Sequence, residues 1–91
     1  MSTPIRLRTR DLEWRKIEGE IVAIDLDESI YLTVNRSGAT LWPLLVEGAP
    51  TEALARALAE AFHLTPAEAE QDVTVFLEAL EQAGLLEDAR R

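Results

Sequence analysis

Ninety-one residues with no cysteine and a net charge of −8 bound a single domain with one modest core. They exclude disulfides, a thiolate nucleophile and the usual cysteine-built zinc sites. Apolar residues make up 47% of the chain, yet no run approaches the ~18 apolar residues of a membrane span. Residues 1–10 lack the apolar core of a secretion signal, so a cytoplasmic protein is expected.

The charge is unevenly spread. Arg6, Arg8, Arg10, Arg15, Lys16 and Arg36 lie in the first part of the chain. No Lys or Arg stands between Arg56 and Arg90, where Glu60, Glu68, Glu70, Asp72, Glu78, Glu81, Glu87 and Asp88 all fall. Such a C-terminal half repels phosphate and favours a neutral or basic peptide over nucleic acid.

In chain order, residues 1–10 read as a flexible or strand-like leader-in, residues 11–87 as the domain and residues 88–91 as a tail. Leu12, Trp14 and Ile17 among charged residues predict a first strand over 12–17. Glu18-Gly19 is a tight turn, because glycine accepts positive φ. Ile21, Val22 and Ile24 mark a second strand over 20–26, and Asp27-Glu28-Ser29 a second turn. The third strand spans 30–34, where Ile30, Leu32 and Val34 alternate with Tyr31 and Thr33. Two tight turns between three strands predict an antiparallel meander.

Asn35 is placed to cap the helix that follows. That helix is expected over 36–46, burying Ala39, Leu41, Trp42 and Leu45, with Pro43 bending or shortening it. Gly48 and Pro50 end it. Thr51 is expected to cap a second helix over 52–62, whose apolar stripe is Leu54, Leu58 and Phe62. His63, just after it, fits a helix end. Thr65-Pro66-Ala67-Glu68 is a capping box with proline at the first helical position. Gly84 stands where a left-handed residue ends a helix, with Leu85-Leu86 folding back as its seal. The third helix is thus roughly 27 Å long at ~1.5 Å per residue. Its core stripe is Ala69, Val73, Phe76, Leu80 and Ala83, flanked by Leu77 on one side and by Asp72, Val75 and Ala79 on the other. The order β-β-β-α-α-α makes an α+β domain resembling a winged helix-turn-helix.

Catalytic chemistry finds no residues to carry it. One histidine (His63) and three serines (Ser2, Ser29, Ser37), two of them at turn or cap positions, form no triad. The carboxylates are spread around solvated helix faces, no glycine-rich phosphate loop exists, and a lone histidine makes a poor metal site. A non-enzyme with no cofactor and no metal is expected.

Binding remains. A winged-helix DNA reader carries basic residues on its recognition helix, and the third helix has none. The open edge of Ile30, Tyr31, Leu32, Thr33 and Val34 is instead a candidate for strand addition by an extended peptide. Asp72, Val75 and Ala79 then form the opposite wall of a groove. The competing uses of that edge are cover by the N-terminal segment or by a second copy, and the competing function is an acidic adaptor or dimerisation module docking to a regulatory protein.

Tyr31-Leu32, Val34-Asn35, Gly38-Ala39 and Leu41-Trp42, followed by Leu45, Gly48, a capped helix, Asp72-Val73, Phe76-Leu77, Leu80 and Gly84-Leu85-Leu86, resemble the PqqD-like family. These are peptide-recognition domains of ribosomal peptide natural-product pathways, and the likeness spans residues 12–86. It implies a winged-helix-like domain that binds a precursor's leader segment as an extra strand on the third strand, in a groove walled by the third helix. Carried over by position, the groove comprises Tyr31, Leu32, Thr33 and Val34 with Asp72, Val75, Phe76 and Ala79. Asp72 would pair with an amide, hydroxyl or cation of the leader, and Val75, Phe76 and Ala79 would line a pocket for an apolar or aromatic anchor. The chain has Asp25-Leu26-Asp27-Glu28 where quinone-cofactor members carry a Leu-Leu-x-Pro-Glu element. It therefore looks more like the stand-alone recognition proteins of lasso-peptide pathways, which work beside a separate leader peptidase and a macrolactam-forming cyclase.

Overall fold

The structure, a computed structural model, describes residues 4–87. Three strands, β1 (Leu12–Ile17), β2 (Glu20–Asp25) and β3 (Ile30–Val34), precede three helices, α1 (Arg36–Glu47), α2 (Thr51–Phe62) and α3 (Pro66–Gln82). The sheet is antiparallel in the order β1-β2-β3, so β2 is paired on both sides. Glu18 (φ 52°) and Gly19 (φ 84°) make the first turn. Both have the positive φ that a two-residue hairpin needs to match strand twist.

Register decides which side chains meet the core. Trp14, Ala23 and Leu32 lie in one row across the sheet, and Lys16, Ile21 and Val34 in the next. This face receives α1, which buries Gly38, Ala39, Leu41, Trp42 and Leu45. Trp42 is fully buried and meets the half-exposed Trp14 edge-on, with ring centroids 6.0 Å apart. Leu54 and Leu58 of α2 join Ala69, Val73 and Leu80 of α3 in completing the core.

Of the two expectations for the N-terminal segment, flexible or strand-like, residues 5–8 follow the strand-like one. Ile5 pairs with Ala49 and Leu7 with Leu86, and Leu7 is 1% exposed. The Arg8 amide donates to the Leu85 carbonyl at 2.7 Å, and the Glu87 amide to that of Arg6 at 2.8 Å. Residues 5–8 are thus a strap between the α1–α2 connection and the C-terminal segment. The apolar gain of burying Leu7 and Ile5 offsets the entropy of ordering them. Residues 1–3 and the expected tail at 88–91 lie outside the described residues.

Local details also differ. β2 stops at Asp25. α1 runs on through Pro43 to Glu47, because Leu41, Trp42 and Leu45 are locked in the core on either side of the proline. Thr51 is the first residue of α2 rather than its cap. Pro50 holds the cap position without a side-chain bond, and its carbonyl accepts from the amides of Ala53 (3.0 Å) and Leu54 (3.2 Å). Phe62, the last residue of α2, and Ala83, the C-cap of α3, both expected in core stripes, are exposed, since each stands at a helix end.

Candidate functional site

The passage from β3 into α1 is set by one side chain. Asn35 Oδ1 accepts from the Gly38 amide and from the Ser37 hydroxyl, each at 3.1 Å, so the chain leaves the extended conformation and starts a helix within one residue. Gly38 then permits a close approach. A Cβ there would overlap Val34 Cγ1 and fall 2.8 Å from Phe76 Cε1. Glycine at this position lets the first turn of α1, the end of β3 and the middle of α3 touch.

α3 is fixed at both ends. Its capping box is complete, with the Glu68 amide donating to Thr65 Oγ1 (3.2 Å) and the Thr65 amide to Glu68 Oε1 (3.0 Å). At the other end Gly84 has φ 76°. The Leu85 amide reaches the Leu80 carbonyl and the Gly84 amide that of Glu81, both at 3.0 Å, which is a Schellman closure. Leu85, 1% exposed, seals it. α3 packs along α2 rather than on the sheet, and the gap left between α3 and β3 is the groove.

The start of β3 is anchored by Asp25, 2% exposed. Its Oδ1 accepts from the amides of Asp27 (3.1 Å) and Glu28 (3.4 Å) and lies 2.8 Å from Arg8 Nη2. Burial works to raise the pKa of Asp25. It is outweighed by the hydrogen bond from Arg8, the amides of Glu28 and Asp27 and the Arg8 charge together, so the net displacement is downward.

Two connected hollows line the gap. The larger, about 490 Å³, is bounded by Leu32, Thr33 and Val34 of β3, by Phe76, Ala79, Leu80 and Ala83 of α3, and by Leu85, with Glu20 and Asn35 bordering it. The second, about 390 Å³, is a notch between the start of α1, α2 and α3, bounded by Ser37, Gly38, Leu41, Leu58, Gln71, Asp72, Val75, Phe76 and Ala79. Phe76 and Ala79 face both. Phe76 is half-buried and packs against the core, so it lines the site and supports the core at once. Val75, 60% exposed, sits at the notch, which accounts for an apolar residue turned away from the α3 core stripe.

Not every sequence-predicted residue lines these hollows. Ile30 (49% exposed) and Tyr31 (75% exposed) border neither. Among the inward-facing residues of β3 burial rises from Ile30 through Leu32 to Val34, because the helices cover only the end of the strand. Ile30 and Tyr31 lie beyond the covered end of the strand, and Tyr31 points to the sheet's outer face. Leu80, Ala83 and Leu85, assigned by sequence to core or cap, prove to be groove walls as well. Periodicity marks them apolar but cannot say that the sheet stands off.

β3 and β1 are both edges, and they differ in kind. β1 carries Glu13, Arg15 and Lys16, the charged residues that blunt an edge against pairing. β3 carries no charge, and among the described residues no strand lies on its outer side.

The model of the family described as coenzyme PQQ synthesis protein D (PqqD) matches residues 20–86. No curated protein sequence matches the chain. Among solved structures, "TbiB1 in Complex with the TbiA(beta) Leader Peptide" superposes with a TM-score of 0.83 at 26% identity, covering 91% of this chain and 95% of that one. "Lasso peptide synthetase B1 complexed with the leader peptide" gives a TM-score of 0.79 at 20% identity, covering 91% and 96%; at that identity it speaks for the fold alone.

Proposed function

The chain belongs to the PqqD family, and from that premise we propose that it captures the leader segment of a ribosomally made precursor peptide by strand addition to β3. The observation that carries this reading is the uncharged, unpaired edge of β3 facing an apolar groove walled by α3. The peptide's main chain bonds to Ile30, Tyr31, Leu32, Thr33 and Val34. Alternate side chains of the added strand turn into the groove, where Phe76 and Ala79 receive an apolar anchor and Val75 extends that surface into the notch. Asp72, exposed at the notch, takes an amide, hydroxyl or cation of the leader. The protein does no chemistry of its own. It presents the peptide to a partner leader peptidase, and to a macrolactam-forming cyclase, in a lasso-type pathway of the cytoplasm. The likeness to a leader-bound TbiB1 supports this assignment. The exposed acids Glu68, Glu70, Asp72 and Glu78 on α3 leave nothing with which to hold a phosphate backbone, and no helix among the described residues is long and apolar enough to cross a membrane.

Binding of a fluorescently labelled leader peptide tests the groove. Ala79 is exposed and borders both hollows, so Ala79→Trp fills them without touching the core. It is expected to weaken binding about a hundredfold, the equivalent of ~2.7 kcal/mol. Asp72→Lys is expected to weaken it about tenfold, ~1.4 kcal/mol. Both variants should melt near wild type. Normal affinity in both removes the groove assignment.

A further inference from the structure

The middle strand of the sheet is apolar on both faces. Ile21 and Ala23 point into the core, and Val22 and Ile24 point the other way. Antiparallel sheets with one solvated face put polar residues there, and strands apolar on both sides are those covered on both sides. Leu26 prolongs the outward stripe, its amide held to the Asp11 carbonyl at 2.8 Å. Ile17 on β1 and Tyr31 on β3 flank it. Ile17, Leu26 and Tyr31 are 48%, 51% and 75% exposed, and the helix on the sheet, α1, packs on the opposite face.

We infer that this outer sheet face docks a second protein whose contact patch is apolar at its centre and ringed by Lys and Arg. The rim decides the sign. Glu13 lies beside Ile24, Glu20 opposite Ile17, and the exposed turns at the two ends carry Glu18 and Asp27-Glu28; against these acids stand Arg15 on the face and Arg36, whose guanidinium lies beside Gly19. A second copy would set acidic rim against acidic rim between chains of net charge −8, a like-charge juxtaposition that disfavours self-pairing. A basic-rimmed partner meets the same surface favourably. The face is also continuous with the peptide edge. Tyr31 and Thr33 stand on the outer side of β3, so every second side chain of an added strand lies level with them. The enzyme that acts on the captured peptide is the partner this geometry serves, and in that respect the inference rests on the capture reading.

The test replaces the chain in its producing cell with the double variant Ile17→Glu, Leu26→Glu. It measures mature product by mass spectrometry, alongside peptide affinity, melting temperature and solution mass of the purified protein. Neither residue borders the groove. Product is expected to fall by about tenfold or more, with peptide affinity within about twofold of wild type and a normal melt. A rim reversal, Glu13→Lys with Glu28→Lys, leaves the apolar stripe intact and should also lower product, since it now repels a basic ring. Undiminished product in the first variant, with normal peptide binding, overturns the docking face and leaves peptide capture standing. A wild-type mass of two chains that the variant converts to one overturns the choice of partner. A wild-type chain that binds no leader peptide overturns the capture reading first, and this one with it.

Discussion

Gly38 shows how a single residue can serve both fold and site. In an open helix, alanine at that position would be favoured over glycine by about 1 kcal/mol. Here the added methyl meets Val34 and Phe76, and overpacking of a fitted core costs about 1–3 kcal/mol. The second effect wins, so Gly38→Ala should lower stability by about 1–2 kcal/mol in urea unfolding. It should also weaken peptide binding, because Phe76 is the wall that moves. Wild-type stability in Gly38→Ala would show that β3, α1 and α3 are less tightly joined than described. Asp25 makes a second case. Its folded pKa lies below its unfolded one, so its ionised form stabilises the native state above about pH 4, and that contribution is lost as pH falls through the folded value. Asp25→Asn keeps an oxygen for the amides of Asp27 and Glu28 while removing the charge. The gap in melting temperature between wild type and Asp25→Asn should be widest near neutrality and narrow as pH falls below the ordinary carboxylate range. A gap independent of pH would mean that the Arg8 pairing contributes nothing through charge.

Elements were legible in the sequence where their signals are local. β1 and β3 have the bounds that alternation and turns predict, and Asn35 and the Thr65–Glu68 box cap their helices as expected. Local signals failed where a partner is distant. Ile5 and Leu7 alternate with Arg6 and Arg8, a strand-like pattern, but their partners Ala49 and Leu86 lie some forty and eighty residues away, and nothing nearby in the chain points to them. The strap is a structural member nonetheless. Leu7→Ala should cost about 2–5 kcal/mol, as for a fully buried leucine, readable as a lower melting temperature with the sheet and helices intact by circular dichroism. A change within about 0.5 kcal/mol would restore the expectation of a loose leader-in.

At the scale of the molecule, the candidate site was half legible. The sequence marks β3 as the last strand before the helices and α3 as a long helix with an acidic flank, and both border the gap. It cannot say that α3 rests on α2 and stands off the sheet, which is what opens two hollows and turns Leu80, Ala83 and Leu85 into walls. Alternation does set Tyr31 and Leu32 on opposite faces of β3, but it cannot say that Leu32 borders the gap and Tyr31 does not. Strand addition requires main-chain pairing at the β3 edge, and amide hydrogen exchange measures that pairing directly. With saturating leader peptide, amides within residues 30–34 should become more protected, while those of β1 keep their free-state rates, because an added strand bonds outward-facing N–H groups. Saturable binding with exchange unchanged across residues 30–34 would contradict strand addition.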